Sequence, residues 1–237
     1  MPAKLALSND QRFLEVERTL ADEMRDSHLV MADLWQGISD FAHLKNCVTV
    51  YGSARFKEGN PYYEMARKMG KTLAENGYTV MTGGGPGIME AANRGAKEGG
   101  GLSLGCNIVL PFEQKLNPYV DEKLEFQFFF TRKVILRKNS VAYVLMPGGL
   151  GTMDEIFEVL TLIQTGKLPS RPVVCMGADY WKHMQNFLRE TMLRTGAISS
   201  EDLDLAQVTD DPLEALQYIK DRATWKLPEK VENYDPY

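Results

Sequence analysis

Glu155 is the side chain with the most chemistry to explain. It follows Pro147-Gly148-Gly149-Leu150-Gly151-Thr152, a turn in which Gly148, Gly149 and Gly151 let the backbone bend with no Cβ in the way. A helix is expected to start near Thr152, because Ile156, Val159, Leu160 and Ile163 recur at helical spacing. Free N–H groups at such a start, beside bare glycine backbone, suit a phosphate or another oxyanion. A carboxylate one turn further on is a poor phosphate ligand, so Glu155 has two readings. Thr152-x-x-Glu155 fits a capping box. The same carboxylate, close to a bound anion, could act in catalysis. The spacing allows both.

The elements that must position this turn are legible around it. Val141 to Met146 is apolar, as a parallel strand covered on both faces would be. Upstream, a first strand over 46–51 runs into Gly52-Ser53-Ala54-Arg55. Ser53 could donate a hydrogen bond to phosphate or ribose and Arg55 could reach an anion; a tight turn with an exposed arginine accounts for them equally. A helix over 62–76 ends at Gly77. A second strand, 78–81, leads into Thr82-Gly83-Gly84-Gly85-Pro86-Gly87 and a helix over 88–97. Glu90 in that helix either offsets its macrodipole or touches a ligand. Neither GxGxxG nor GxxxxGK occurs, so a dinucleotide fingerprint and a P-loop are both unsupported.

Further strands are expected over 102–110 and 124–129, joined by a loop over 111–121. Phe126, Phe128, Phe129 and Phe130 are read as core and interface. A short helix over 131–140 carries Arg132, Lys133, Arg137 and Lys138. Such a cluster is ordinarily a solvated face, yet Arg132 and Lys133 fall at the C-terminal edge of a strand, the ligand side of an open α/β sheet. A strand over 171–177, a helix over 180–193, a strand over 205–209 and a helix over 212–220 complete the pattern. Strands alternating with helices predict a Rossmann-like, doubly wound parallel α/β sheet flanked by helices, with a ligand crevice at one edge.

Ahead of the first strand, residues 8–44 read as two helices with Leu14, Leu20, Met24, Leu34, Trp35, Ile38, Phe41 and Leu44 as apolar stripes. The domain reading is an N-terminal helical extension over 1–45, a Rossmann-like domain over 46–221 and a tail over 222–237. The extension is expected both to pack on the core and to make subunit contacts. With 237 residues, 44% hydrophobic and 25% charged, the chain suits one α/β domain. A net charge of −5 argues against a polynucleotide partner. No run of about 18 apolar residues suggests a membrane span, and the first residues carry no signal-peptide pattern. Cys47, Cys106 and Cys175 sit in apolar runs, as buried thiols of a cytoplasmic protein would. Neither these cysteines nor His28, His43 and His183 have metal-site spacing.

Pro147-Gly148-Gly149-Leu150-Gly151-Thr152-Met153-Asp154-Glu155 resembles the PGGxGTxxE motif of the Lonely Guy (LOG) family, long labelled "possible lysine decarboxylase". GGGPGIMEAANRGA, from Gly83, resembles the family's GGGxxGxMxxxA motif, and Arg132-Lys133 its RK pair. The likeness runs from about Val48 to Asp221. Glu90, where many short members have glycine, is similar to the longer type II branch. The resemblance implies hydrolysis of the N-glycosidic bond in nucleoside 5′-monophosphates, cytokinin riboside monophosphates and AMP included, with release of the base and ribose 5-phosphate. It implies Glu155 and Arg132 as catalytic residues, and Lys133 as a weaker substrate contact. Gly52, Ser53, Gly84, Gly85, Gly148, Gly149, Gly151 and Thr152 would line the nucleotide, with the phosphate on the Gly149–Thr152 backbone. It implies a homo-oligomer, dimer or hexamer. Water attack needs no organic cofactor, and no Asp/His cluster marks a metal site, so neither is expected. The alternative is a non-catalytic nucleotide or molybdenum-cofactor carrier of the same fold. Decarboxylation of lysine usually needs pyridoxal phosphate on a Schiff-base lysine, and nothing near Lys133 or Lys138 marks one.

Overall fold

β1 (Cys47–Tyr51) is buried along its whole length and forms the middle of a seven-stranded sheet. In this computed structural model, which describes residues 7–110 and 116–223, the other strands are β2 (Thr79–Thr82), β3 (Ser103–Ile108), β4 (Glu122–Phe126), β5 (Ser140–Leu145), β6 (Val173–Cys175) and β7 (Gln207–Val208). All neighbouring pairs are parallel, in the order β4-β3-β2-β1-β5-β6-β7. The chain works outward from β1 to β4, then returns to β5 on the other side of β1. The C-terminal ends of β1 and β5 therefore flank the point where the winding reverses, which is where open α/β sheets leave a crevice.

Period-two alternation splits the strands between two cores. Val48, Val50, Val80, Ala142, Val144 and Val174 face α3 (Pro61–Glu75), α4 (Ile88–Glu98) and α8 (Pro212–Arg222). Cys47, Tyr51, Met81, Leu104, Cys106, Tyr143, Leu145 and Val173 face α5 (Phe129–Lys138), α6 (Leu150–Gln164) and α7 (Ala178–Phe187). Each fully buried aliphatic side chain stabilises by about 1.5–3 kcal/mol. The doubly wound sheet is thus as expected. No helix of the described residues is long and apolar enough to cross a membrane.

Several boundaries differ from the sequence reading, each for a local reason. β4 ends at Phe126, not Phe129, and Phe129 and Phe130 open α5. The backbone turns there because an aspartate from another helix takes the N–H groups of Gln127 and Phe128. α6 begins at Leu150, two residues before Thr152, with Gly149 as its N-cap residue. The helix expected over 180–193 is α7 followed by a π-helical stretch, Leu188–Leu193. The N-terminal extension is a short α1 (Asn9–Phe13) and a long α2 (Leu20–Asp40). Its apolar stripe is only half used. Phe41 is buried and Ile38 and Leu44 pack on the core, whereas Leu14, Leu20, Met24 and Trp35 are exposed. What α2 buries instead is Asp26, Asp33 and Gly37. Asp26 pairs with Arg18 at 2.7 Å and with Arg25 at 3.0 Å, which satisfies a carboxylate that burial would otherwise penalise. The expected tail from 224 onward, residues 1–6 and part of the expected loop, 111–115, lie outside the described residues.

Candidate active site

A cleft of about 580 Å³ opens at the C-terminal ends of β1 and β5. Its walls come from four places in the chain: the turn Gly52–Arg55 after β1, Met89 of α4, Phe129, Arg132 and Lys133 of α5, and the start of α6 from Gly149 to Glu155. Ile108 and Leu110 close one side.

The floor is built by close backbone packing. Ser53 N donates to Pro147 O at 3.1 Å, and Ile88 N donates to Ser53 O at 2.9 Å, so the turns after β1 and β5 and the start of α4 are tied together. A Cβ on Gly52 would strike the Ile88 side chain, and one on Gly87, whose φ is 71°, would strike the Ser53 carbonyl. The glycines are needed for approach as much as for conformation.

At the start of α6 the first helical hydrogen bond runs from Met153 N to Gly149 O at 3.0 Å. The N–H groups of Leu150, Gly151 and Thr152 precede it, and no side chain caps them. Gly149 and Gly151 have open space where a Cβ would stand. Unfilled donors, the positive end of the macrodipole and bare backbone together are the chemistry that suits an anion.

Glu155 does not close a capping box with Thr152. Thr152 is the third residue of α6, its side chain packs against Gly148, and Glu155 lies a turn further on. The Glu155 carboxylate instead accepts a hydrogen bond from Arg132 Nη2 at 2.7 Å, with both side chains nearly buried, at 13% and 11% exposure. Burial pushes the Glu155 pKa up, and the Arg132 charge pulls against that shift. A carboxylate held this way is a stronger base than an exposed one yet is still paired when ionised. The Arg132 guanidinium also lies over the Phe129 ring, 5.9 Å from its centroid, and its buried Nε has no acceptor among the described residues.

Lys133 lines the cleft but is engaged elsewhere. Its Nζ sits 2.9 Å from Asp154 and 2.9 Å from Glu158, and Glu158 also pairs with Arg137. Burial works to lower its pKa, but the Asp154 and Glu158 carboxylates outweigh that and raise it. That is the reverse of what a Schiff-base lysine needs.

Of the residues singled out in the sequence, Gly52, Ser53, Arg132, Lys133, Gly149, Gly151, Thr152 and Glu155 come together in the cleft, and Arg55 with them. Three do not. Gly84 and Gly85 lie behind the wall, their carbonyls accepting from Asn117 Nδ2 at 3.1 and 3.0 Å. Gly148 sits below the turn, where its carbonyl accepts from Tyr180 Oη at 2.5 Å. Both sites are glycines for packing: Gly84 faces Gly105 and Leu116, and Gly148 faces Thr152. Glu90 is outside the cleft too, accepting from the Tyr63 hydroxyl at 3.0 Å. Its neighbour Met89 is the one that faces the cavity. Sequence reading missed Met89, Ile108 and Leu110, which look like ordinary core residues and, in the case of Ile108, also belong to the core while bordering the cleft. Among the described residues no group of three or more His, Cys, Asp or Glu side chains is placed to hold a metal.

A profile of the family described as possible lysine decarboxylase matches residues 89–219. A cytokinin riboside 5′-monophosphate phosphoribohydrolase of Mycobacterium tuberculosis is 29% identical over 158 residues, which cover 65% of this chain and 83% of the relative. A cytokinin riboside 5′-monophosphate phosphoribohydrolase of Oryza sativa is 31% identical over 136 residues, or 56% of this chain and 55% of the plant protein. Among solved structures, the molybdenum cofactor carrier protein of Chlamydomonas reinhardtii superposes with a TM-score of 0.57 at 27% identity, covering 75% of this chain and 98% of that one.

Proposed function

Since the chain belongs to the possible lysine decarboxylase, or LOG, family, we propose that it is a hydrolase that cleaves the N-glycosidic bond of nucleoside 5′-monophosphates, giving free base and ribose 5-phosphate. The observation that carries this reading is the nearly buried Glu155–Arg132 pair lining the same cleft as the uncapped start of α6. Phosphate takes the N–H groups of Gly151 and Thr152. The ribose then lies between that turn and Glu155, and the base lies against Met89, Ile108, Leu110 and Phe129.

As the C1′–N bond breaks, its electron pair leaves with the base and positive charge develops on the ribose. An ionised carboxylate beside C1′ stabilises that charge. Glu155 also takes a proton from the attacking water, whose oxygen forms the new bond to C1′; the proton passes on to the departing base. Arg132 keeps Glu155 ionised and in place, and its positive charge eases negative charge growing on the base.

The relatives' names favour cytokinin riboside monophosphate as a substrate, and AMP shares the same purine nucleotide frame. Leu150, Met153 and Phe157 form an apolar strip on α6 beside the cleft, with Leu150 90% exposed. We assign this strip to contact with a second copy of the chain; a monomer in sedimentation would refute that. A carrier reading is favoured by the likeness to the cofactor carrier, which covers nearly all of that protein. One assay separates the two. Cytokinin riboside monophosphates, AMP and the corresponding unphosphorylated nucleosides are incubated with the protein and free base is quantified. The hydrolase reading expects base from the monophosphates and little from the nucleosides. Tight nucleotide binding with no base released from any substrate would leave the carrier.

A further inference from the structure

The residues that α2 buries have a target. Asp33, 6% exposed, projects from α2 into the turn between β4 and α5. Its carboxylate accepts from Gln127 N at 3.1 Å and Phe128 N at 3.3 Å, and the Thr131 hydroxyl donates to it as well. Phe128 is the N-cap residue of α5 and offers no side-chain acceptor. The entry to α5 is therefore held by a carboxylate nearly a hundred residues away in the chain. Asp10 of α1 adds a further acceptor, for Phe129 N at 3.3 Å. A buried carboxylate is tolerated here because donors and the helix dipole meet it.

The grip continues along the helix. One turn beyond Asp33, Gly37 meets Ile135 so closely that a Cβ would collide with it. Asp33 with Thr131 and Gly37 with Ile135 are contacts four residues apart on both helices, so α2 fixes where α5 sits along its axis. Arg132 follows Thr131 directly. Its N–H donates at 3.3 Å to the carbonyl of Phe128, the residue whose own N–H Asp33 holds.

We infer that Asp33 is a positioning residue: by holding the turn into α5 and Thr131 from the N-terminal extension, it sets where the Arg132 guanidinium meets Glu155. This rests on the hydrolase reading for its consequence in turnover, but its structural half can be tested without it. The extension then serves the active site from behind, through the helix whose Phe129, Arg132 and Lys133 line the cleft.

The test compares wild type, Asp33→Asn, the milder Thr131→Val and a control, Thr19→Ala. The control removes the N-cap of α2, which loosens the same extension without touching α5. Two readouts are taken on folded protein: kcat and KM for AMP, and the Glu155 carboxyl titration followed by 13C NMR. The titratable and charged groups around Glu155 are Arg132 and Lys133 of α5, Asp154 of its own helix, and the neutral Tyr51 phenol of β1. Deleting the Asp33 charge would by itself lower the Glu155 pKa, since like charges repel. Misplacing Arg132 would raise it, so the sign separates the two effects.

The expected result for Asp33→Asn is a Glu155 titration shifted upward and kcat down about 100-fold, with KM changed only a few-fold because phosphate is held by α6. Thr131→Val moves both readouts the same way by less, and Thr19→Ala moves neither. An unchanged or lowered Glu155 pKa in folded Asp33→Asn, or a Thr19→Ala variant that reproduces its shift, overturns the inference. If wild type releases no base from AMP or any riboside monophosphate, the hydrolase reading fails on its own, and the titration still decides Asp33.

Discussion

Two helices bring their N-terminal ends toward the cleft, and the chain treats them in opposite ways. At α5 the N–H groups of Gln127 and Phe128, which lead into the helix, are met by a buried carboxylate from α2, and that of Phe129, its first residue, by a second from α1. At α6 the first-turn residues line the cavity with no side-chain cap. Both starts carry the same partial positive charge. The difference is that the protein's own acids hold the entry to α5, while the proposed function gives the start of α6 an anion from outside. Glu155 and Arg132 join the two ends: Arg132 grows from the filled helix, Glu155 from the open one, and they meet at 2.7 Å.

The largest effect expected from this arrangement comes from Glu155→Gln. Losing the base and the charge beside C1′ together should reduce kcat by about 10³-fold or more, measured as base released from AMP, while nucleotide binding by calorimetry persists. Full activity in that variant would detach Glu155 from the chemistry. Next is Arg132→Met, which severs the link between the two helices. Glu155 must be ionised to act, and burial already raises its pKa above the ordinary 4.5. Activity is therefore lost as pH falls through a value above that. Arg132 holds the shift down, so its removal should carry the acid limb of kcat to higher pH and lower the maximum by about 100-fold; a limb that moved toward lower pH would contradict the pairing.

A third change makes the two helix starts alike. Gly151→Asp puts a carboxylate at the open end, where a side chain has room. Stability should hold or rise, by about 0.3–1 kcal/mol in thermal unfolding. KM for AMP should climb about 100-fold, because like charges facing each other cost several kcal/mol. Unaltered KM would mean the phosphate goes elsewhere. The smallest effect is expected of Lys133→Met. Its ammonium already answers Asp154 and Glu158, so KM should change only a few-fold, and a pair this near the surface contributes about 1 kcal/mol at most to stability. A hundredfold rise in KM would make Lys133 a major substrate contact and not the weaker one expected.

The difference between the two ends also marks what the sequence can disclose. The open end was readable, because glycines before a helix and an acid one turn on are local signals. The doubly wound sheet was readable too, from strands of apolar residues alternating with helices. The filled end was not. Phe128 gives no sign of being a cap position, and its partner Asp33 sits in a helix whose visible pattern is a leucine and methionine stripe, much of which proved exposed. A carboxylate used far from its own helix leaves no periodicity. For the same reason Gly84 is hard to read: a glycine required for packing and one required for ligand approach are written identically. Thr152 and Glu155 fit a capping box in spacing, but the helix starts two residues early, and Arg132 takes the carboxylate instead.

The most direct test is a crystal structure of Glu155→Gln with AMP bound and uncleaved. The account predicts phosphate oxygens on the N–H groups of Gly151 and Thr152, and C1′ facing the substituted amide beside Arg132. A phosphate seated away from α6, or an anomeric carbon on the far side of the cleft from that amide, would contradict it.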